Sequence, residues 1–148
     1  MNALYHLSDV QVENLIKSAK QVKQSIPREM PQFGKIKDDT LVIGTYDNIE
    51  YKLHRYRHPI DDERFSIHLR FKSTNDHLIR LDINNGTHRN PDGKTIQQNH
   101  IHIYKDSEFA KDAFAYPLPT NFTDLESIFS ALITFLEYTH IKEIDNPN

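Results

Sequence analysis

Residues able to move protons, hold metal ions or bind phosphate crowd into one part of this chain: Arg80, Asp82, His88, Arg89, His100, His102 and Tyr104. The His100-x-His102 pair puts two imidazoles on one side of a strand, at about the separation a metal ion bridges. Asp82 or His88 is then the candidate third ligand of a zinc site with an open position. A second chemistry needs no metal or other cofactor. One histidine acts as general base and the other as general acid, Asp82 orients an imidazole, and Arg80 or Arg89 stabilises charge on a phosphate oxygen. That set suits RNA cleavage by attack of a 2'-hydroxyl. The metal-free chemistry is the expectation, with zinc on His88, His100, His102 and Asp82 as the alternative. A plain solvated sheet face is the competing reading, but such faces are usually built from Thr, Lys, Glu and Ser rather than imidazole and guanidinium. The chain has no cysteine nucleophile, no Gly-rich phosphate loop and no Gly-x-Ser-x-Gly.

A second feature is "YKLHRYRH" at positions 51–58, which carries Lys52, Arg55 and Arg57 without an acid. Together with Arg70 these are candidates for binding single-stranded nucleic acid by charge and stacking. On an edge strand the same charges would instead guard against sheet-to-sheet aggregation.

The elements that must position these residues can be read from hydrophobic period. Ser8 and Gln11 form a capping-box pattern, and Val12, Leu15, Ile16, Ala19, Val22 and Ile26 recur at helical spacing, so a helix is expected over 8–26, with Lys17, Lys20 and Lys23 on its solvated side. Alternation then predicts strands at roughly 40–46, 49–57, 64–72, 77–84 and 99–105. In them Phe65, Ile67, Leu69, Ile79, Leu81, Ile83, Ile101 and Ile103 face a core, while His68, Arg70, Arg80, Asp82, His100, His102 and Tyr104 face away. Short helices are expected at roughly 107–114 and 123–139, the latter capped by Thr123 and Glu126 with a stripe from Phe122 to Leu136 that includes Phe129 and Ile133. The result is a single α+β domain over 1–148, a sheet of about five antiparallel strands with helices over one face.

Asn90-Pro91-Asp92-Gly93 predicts a three-residue hairpin loop, with Pro presetting φ and Gly taking the left-handed position. Asn90 then pairs with Lys94 and Asp82 comes opposite His102, unless Asn85-Gly86 shifts the ladder by two residues. Either register keeps the polar set on one face.

At 148 residues the chain can bury one moderate core, and its net charge of −3 argues against wholesale polyanion binding. Without cysteine, a leader-like start or an apolar run of membrane-spanning length, a cytoplasmic setting is expected. Arg80-Leu81-Asp82, His88 with Asn90-Pro91-Asp92-Gly93, the His100-x-His102-x-Tyr104 string and Ala115-Tyr116-Pro117-Leu118 occur here in the order found in a family of uncharacterised small proteins from bacteria, phages and prophages. The chain resembles that family most strongly from Ile79 to the last helix. The resemblance implies a mobile-element context and no settled activity. The leading expectation is therefore a nucleic-acid-directed effector of toxin type, a ribonuclease acting on RNA. The alternative is a non-catalytic phage or prophage binding protein that inhibits a bacterial defence complex, its partner a protein of a host defence or antitoxin system.

Overall fold

The computed structural model describes residues 3–27 and 31–143. The first helix, α1 (Asp9–Lys17), begins at the expected capping box: Ser8 Oγ accepts from the Gln11 amide at 3.2 Å and the Ser8 amide donates to Gln11 Oε1 at 2.8 Å. It buries Val12 and Ile16. The helix stops at Lys17 rather than at 26, and Lys20–Val22 is a strand, β1, with Lys20 and Val22 turned inward. A helical spacing of apolar residues does not exclude a strand when a sheet edge is available to pair with, and here β1 has partners on both sides.

The five expected strands are present as β2 (Ile36–Gly44), β3 (Glu50–Arg57), β4 (Phe65–Phe71), β5 (His77–Ile83) and β8 (His100–Ile103). The sheet nevertheless has eight strands, because β1, β9 (Ala115–Pro117) and β10 (Ile141–Lys142) extend it at both edges. Its order is β10-β1-β2-β3-β4-β5-β8-β9, antiparallel throughout except for the parallel β1/β10 pair. A separate ribbon, β6 (His88–Arg89) with β7 (Thr95–Ile96), carries the Asn90–Gly93 loop. That loop forms as the sequence indicates: Gly93 has φ of 90°, its amide donates to the Asn90 carbonyl, and the Asn90 amide donates to the Lys94 carbonyl.

The last helix, α2 (Ile128–Tyr138), starts at a cap formed by Ser127 and Ser130 instead of Thr123 and Glu126. It buries Ile128, Ala131, Leu132, Phe135 and Leu136, whereas Phe129 and Ile133 of the expected stripe are exposed. No helix forms over 107–114. The segment is a run of turns in which the Ser107 hydroxyl takes the Phe109 amide, the local bonding by which such residues compete with helix. α1 and α2 join one apolar cluster with Val42, Tyr51, Leu53, Ile67, Leu69 and Leu81 on one face of the sheet. The α+β class is thus as expected. Lys20 belongs to this covered side. It is 1% exposed, not on a solvated stripe, and its ammonium donates to the carbonyls of Ile16, Ser18 and Thr139 at 2.8 to 3.0 Å. No described helix is long and apolar enough to cross a membrane.

Candidate metal centre on the helix-free face

The opposite face of the sheet carries the polar side chains, aligned by strand register into rows. One row runs Asp39, His54, His68, Arg80, His102 across β2, β3, β4, β5 and β8, and the next runs Lys37, Tyr56, Ser66, Asp82, His100. Asp82 is therefore paired with His100 rather than His102, the register shifted by two residues from the one set at the hairpin loop. Asn84 and Asn99 account for the shift: both adopt positive φ, 58° and 66°, and the Asn84 amide donates to Asn99 Oδ1 at 2.7 Å. They end the long ladder and start the ribbon afresh, using a backbone region that asparagine tolerates better than most residues.

Asp82 nonetheless meets both imidazoles. Its Oδ2 lies 3.2 Å from His102 Nε2 and 3.6 Å from His100 Nε2. The rings are held from behind: His100 Nδ1 is 2.8 Å from the Gln97 carbonyl and His102 Nδ1 is 2.8 Å from the Asp112 carbonyl. A carbonyl oxygen can only accept, so each Nδ1 carries a proton, and each ring turns its Nε2 toward the carboxylate. Lone pairs facing a carboxylate repel it unless a proton or a metal cation sits between them. A proton on both rings is disfavoured, since burial and the neighbouring His102 and His88 hold His100 below its usual pKa despite the pull of Gln97 and Asp82. Burial would raise the pKa of Asp82, but the His102 hydrogen bond and the charges of Arg80, His102 and His100 outweigh it and hold Asp82 below the ordinary carboxylate value.

Asp82, His100 and His102 are the group of potential ligands found among the described residues, with one donor atom each and all within 4.8 Å of one another. The 3.2 and 3.6 Å separations fit the ligand-to-ligand edge of about 3.3 Å in a tetrahedron with zinc bonds of roughly 2.0 to 2.1 Å. His100 and His102 are 3% and 2% exposed although no described helix covers them. The β6/β7 ribbon and the 105–114 segment shield them: His88 lies with its ring 4.7 Å from that of His102, and its Nε2 donates to the Ala113 carbonyl. The ribbon is pinned to β9 by Asn90, whose amide side chain bonds both the carbonyl and the amide of Ala115.

Arg80 flanks the centre, donating from Nε to Asp82 and from Nη1 to Asp112. Other expected site residues lie elsewhere. Tyr104 turns to the covered side, where its hydroxyl meets the carbonyls of Leu4 and Tyr5 and the Leu7 amide. Arg89 is exposed on the ribbon. Arg55 and Arg57 are both 2% exposed on the core side, committed to Asp38 and to the carbonyls of Pro27, Gly34 and Pro31, so neither is available to nucleic acid. Lys52 and Arg70 do stand on the helix-free face, Arg70 bonded to Asp39 and to His68 Nε2.

The sequence reading missed Asp39, His54, His77 and Asp112. His54, His68 and His77 stack in succession, with ring centres 4.8 and 4.0 Å apart. Burial, then the neighbouring His77, His54, Arg70 and Arg80, lowers the His68 pKa to about 2. Burial and Arg80 lower that of His77 to about 4, against the opposing pull of Asp112. A bulge beside Leu69 and Arg70 brings His77 into this row, which simple alternation from Ile79 cannot foresee.

Residues 7–141 match a family of unknown function, DUF6978. The chain belongs to that family. No curated protein and no solved structure matches it significantly. The DUF6978 match spans α1, α2 and the sheet as far as Ile141, so every residue of the centre lies within it.

Proposed function

We propose that this protein is a metalloprotein in which Asp82, His100 and His102 hold a divalent cation of the zinc class, with remaining coordination positions for water and substrate. The observation that carries this reading is the pair of imidazoles, each fixed by an Nδ1 bond to a backbone carbonyl, that aim Nε2 at one carboxylate. Backbone carbonyls behind ligand histidines are the usual device for setting tautomer and ring orientation. Two nitrogen donors and one oxygen donor suit zinc, and three protein ligands are the pattern of catalytic rather than structural zinc. Such a cation lowers the pKa of a bound water towards about 7 and polarises an oxygen of a bound ester or amide, so the chemistry it supports is hydrolysis. Arg80 is placed to hold Asp82 in its ligating orientation and to face charge that develops beside it.

The metal-free ribonuclease draws less support from this geometry. His100 and His102 turn their free nitrogens to the same carboxylate, not to opposite sides of a space where a phosphate could sit. The test is elemental analysis of protein dialysed against zinc and then against buffer. We expect about one zinc per chain, lost in Asp82→Ala and His102→Ala variants that keep the wild-type circular dichroism spectrum. A folded wild-type protein that retains no zinc, cobalt or manganese would rule the reading out.

A further inference from the structure

The helix-free face has an unequal balance of hydrogen-bonding groups. Its carboxylates are taken: Asp39 by Arg70 and His54, Asp82 and Asp112 by Arg80, and Glu50 by Lys72. Its leftover groups are donors. Among the described residues the ammonium groups of Lys37 and Lys52, the hydroxyls of Tyr56 and Ser66, and Arg80 Nη2 have no hydrogen bond or ion pair. A surface whose carboxylates are paired and which keeps spare ammonium, guanidinium and hydroxyl donors is complementary to a ligand that only accepts, which is the character of phosphate oxygens.

The arrangement adds direction. Lys37, Tyr56 and Ser66 are successive register partners that end beside Asp82 and His100, and Lys52 stands on the same face two rows away, beyond the row of Asp39, His54, His68 and Arg80. Four strand spacings of roughly 4.8 Å make this strip roughly 19 Å long, more than a single phosphate needs. Tyr56 is half-exposed in the middle of it and offers an aromatic ring to an unpaired base. We propose that Lys37, Tyr56, Ser66, Lys52 and Arg80 form a track for the phosphodiester backbone of a single-stranded nucleic acid, leading one phosphate to the Asp82–His100–His102 centre. The destination of the track rests on the metal reading; the binding of the strand does not.

The experiment uses zinc-treated full-length protein and a fluorescent single-stranded RNA of about a dozen nucleotides, within the usual span of one such binding module. Anisotropy should show binding that weakens steeply with salt, and the Lys37→Glu, Lys52→Glu double variant should lose about tenfold or more in affinity at low salt. Lys23→Glu, an exposed lysine on β1's side of the sheet, should change it by less than about twofold. Tyr56→Ala should weaken the single strand while leaving thermal stability near wild type. Zinc content is measured on the same samples. Zinc without RNA binding overturns the track alone, and RNA binding without zinc overturns the metal reading alone. Equal binding of duplex RNA, or preference for poly-glutamate, overturns the assignment to a single strand.

Discussion

Lys20 shows how much one side chain can be asked to hold. Its ammonium sits where α1 ends and α2 ends, and it supplies donors to the carbonyls of Ile16, Ser18 and Thr139, which face the negative ends of the helix dipoles. Burial lowers its pKa to about 8, against a smaller opposing effect from Asp47. Lys20→Met leaves three carbonyls without a donor, so we expect a loss of about 2 to 4 kcal/mol in urea unfolding. A loss under about 0.5 kcal/mol, the usual size for surface positions, would mean that water replaces the ammonium without penalty. His68 and His77 make a different kind of demand. Both are neutral in the fold, with pKa values of about 2 and about 4 against 6.5 for an ordinary imidazole. They face His54 from β3, Arg70 from β4 and Arg80 from β5, and His77 also faces the Asp112 carboxylate. Below pH 6.5 the unfolded chain takes up protons that the folded chain refuses. Stability is therefore intact above that pH and falls from 6.5 towards 4 for both residues, with the His68 contribution continuing to about 2. Each imidazole adds up to about 1.4 kcal/mol per pH unit to that slope. Urea midpoints at a series of pH values should show it, and His68→Gln should flatten it; an unchanged slope would mean that His68 is protonated in the fold.

At the scale of elements, α2 separates covered from uncovered positions within one turn. Leu132 is 2% exposed and Ile133 57%. Leu132→Ala should cost about 2 to 5 kcal/mol and Ile133→Ala well under 1; similar losses at both would show that α2 packs with another face inward. The sheet was legible in the sequence wherever strict alternation survives, as in β4 and β8, and this put Asp82, His100 and His102 on one face even though the pairing moved by two residues. The same parity, followed through "YKLHRYRH", sends Arg55 and Arg57 to the side of Tyr51 and Leu53. Charge alone suggests a surface; only the fold shows that Asp38 and three loop carbonyls wait inside for them. β1, β9 and β10 are two or three residues long, too short for any period, and exist because neighbouring strands offer them partners. Asp112 could not be found at all, since its place depends on a run of turns that local pattern reads as helix.

For the whole molecule, the sheet divides the work: helices and apolar core on one side, and on the other a polar grid covered, among the described residues, by a ribbon and a turn-rich segment. If the grid holds a cation, that cation ties β5 to β8 and stabilises the folded state by mass action. Zinc at a hundred times its dissociation constant should add about 2.7 kcal/mol. A chelator should then lower the melting temperature of the wild type and leave Asp82→Ala unaffected, whereas identical shifts in both would place the bound metal elsewhere.

The pairing of β1 with β10 has a consequence for the order in which the molecule can be completed. Lys20 and Ile141 are parallel neighbours, yet more than a hundred residues separate them along the chain. On a ribosome, β1 can dock on β2 as soon as the first hairpin emerges, but its outer hydrogen-bonding edge stays open until α2 and then β10 have been made. The same delay leaves Lys20 without its Thr139 acceptor. The nascent chain thus carries a bare strand edge, and a Lys20 ammonium short of one of its three acceptors, until residues 139–142 have been made and complete both.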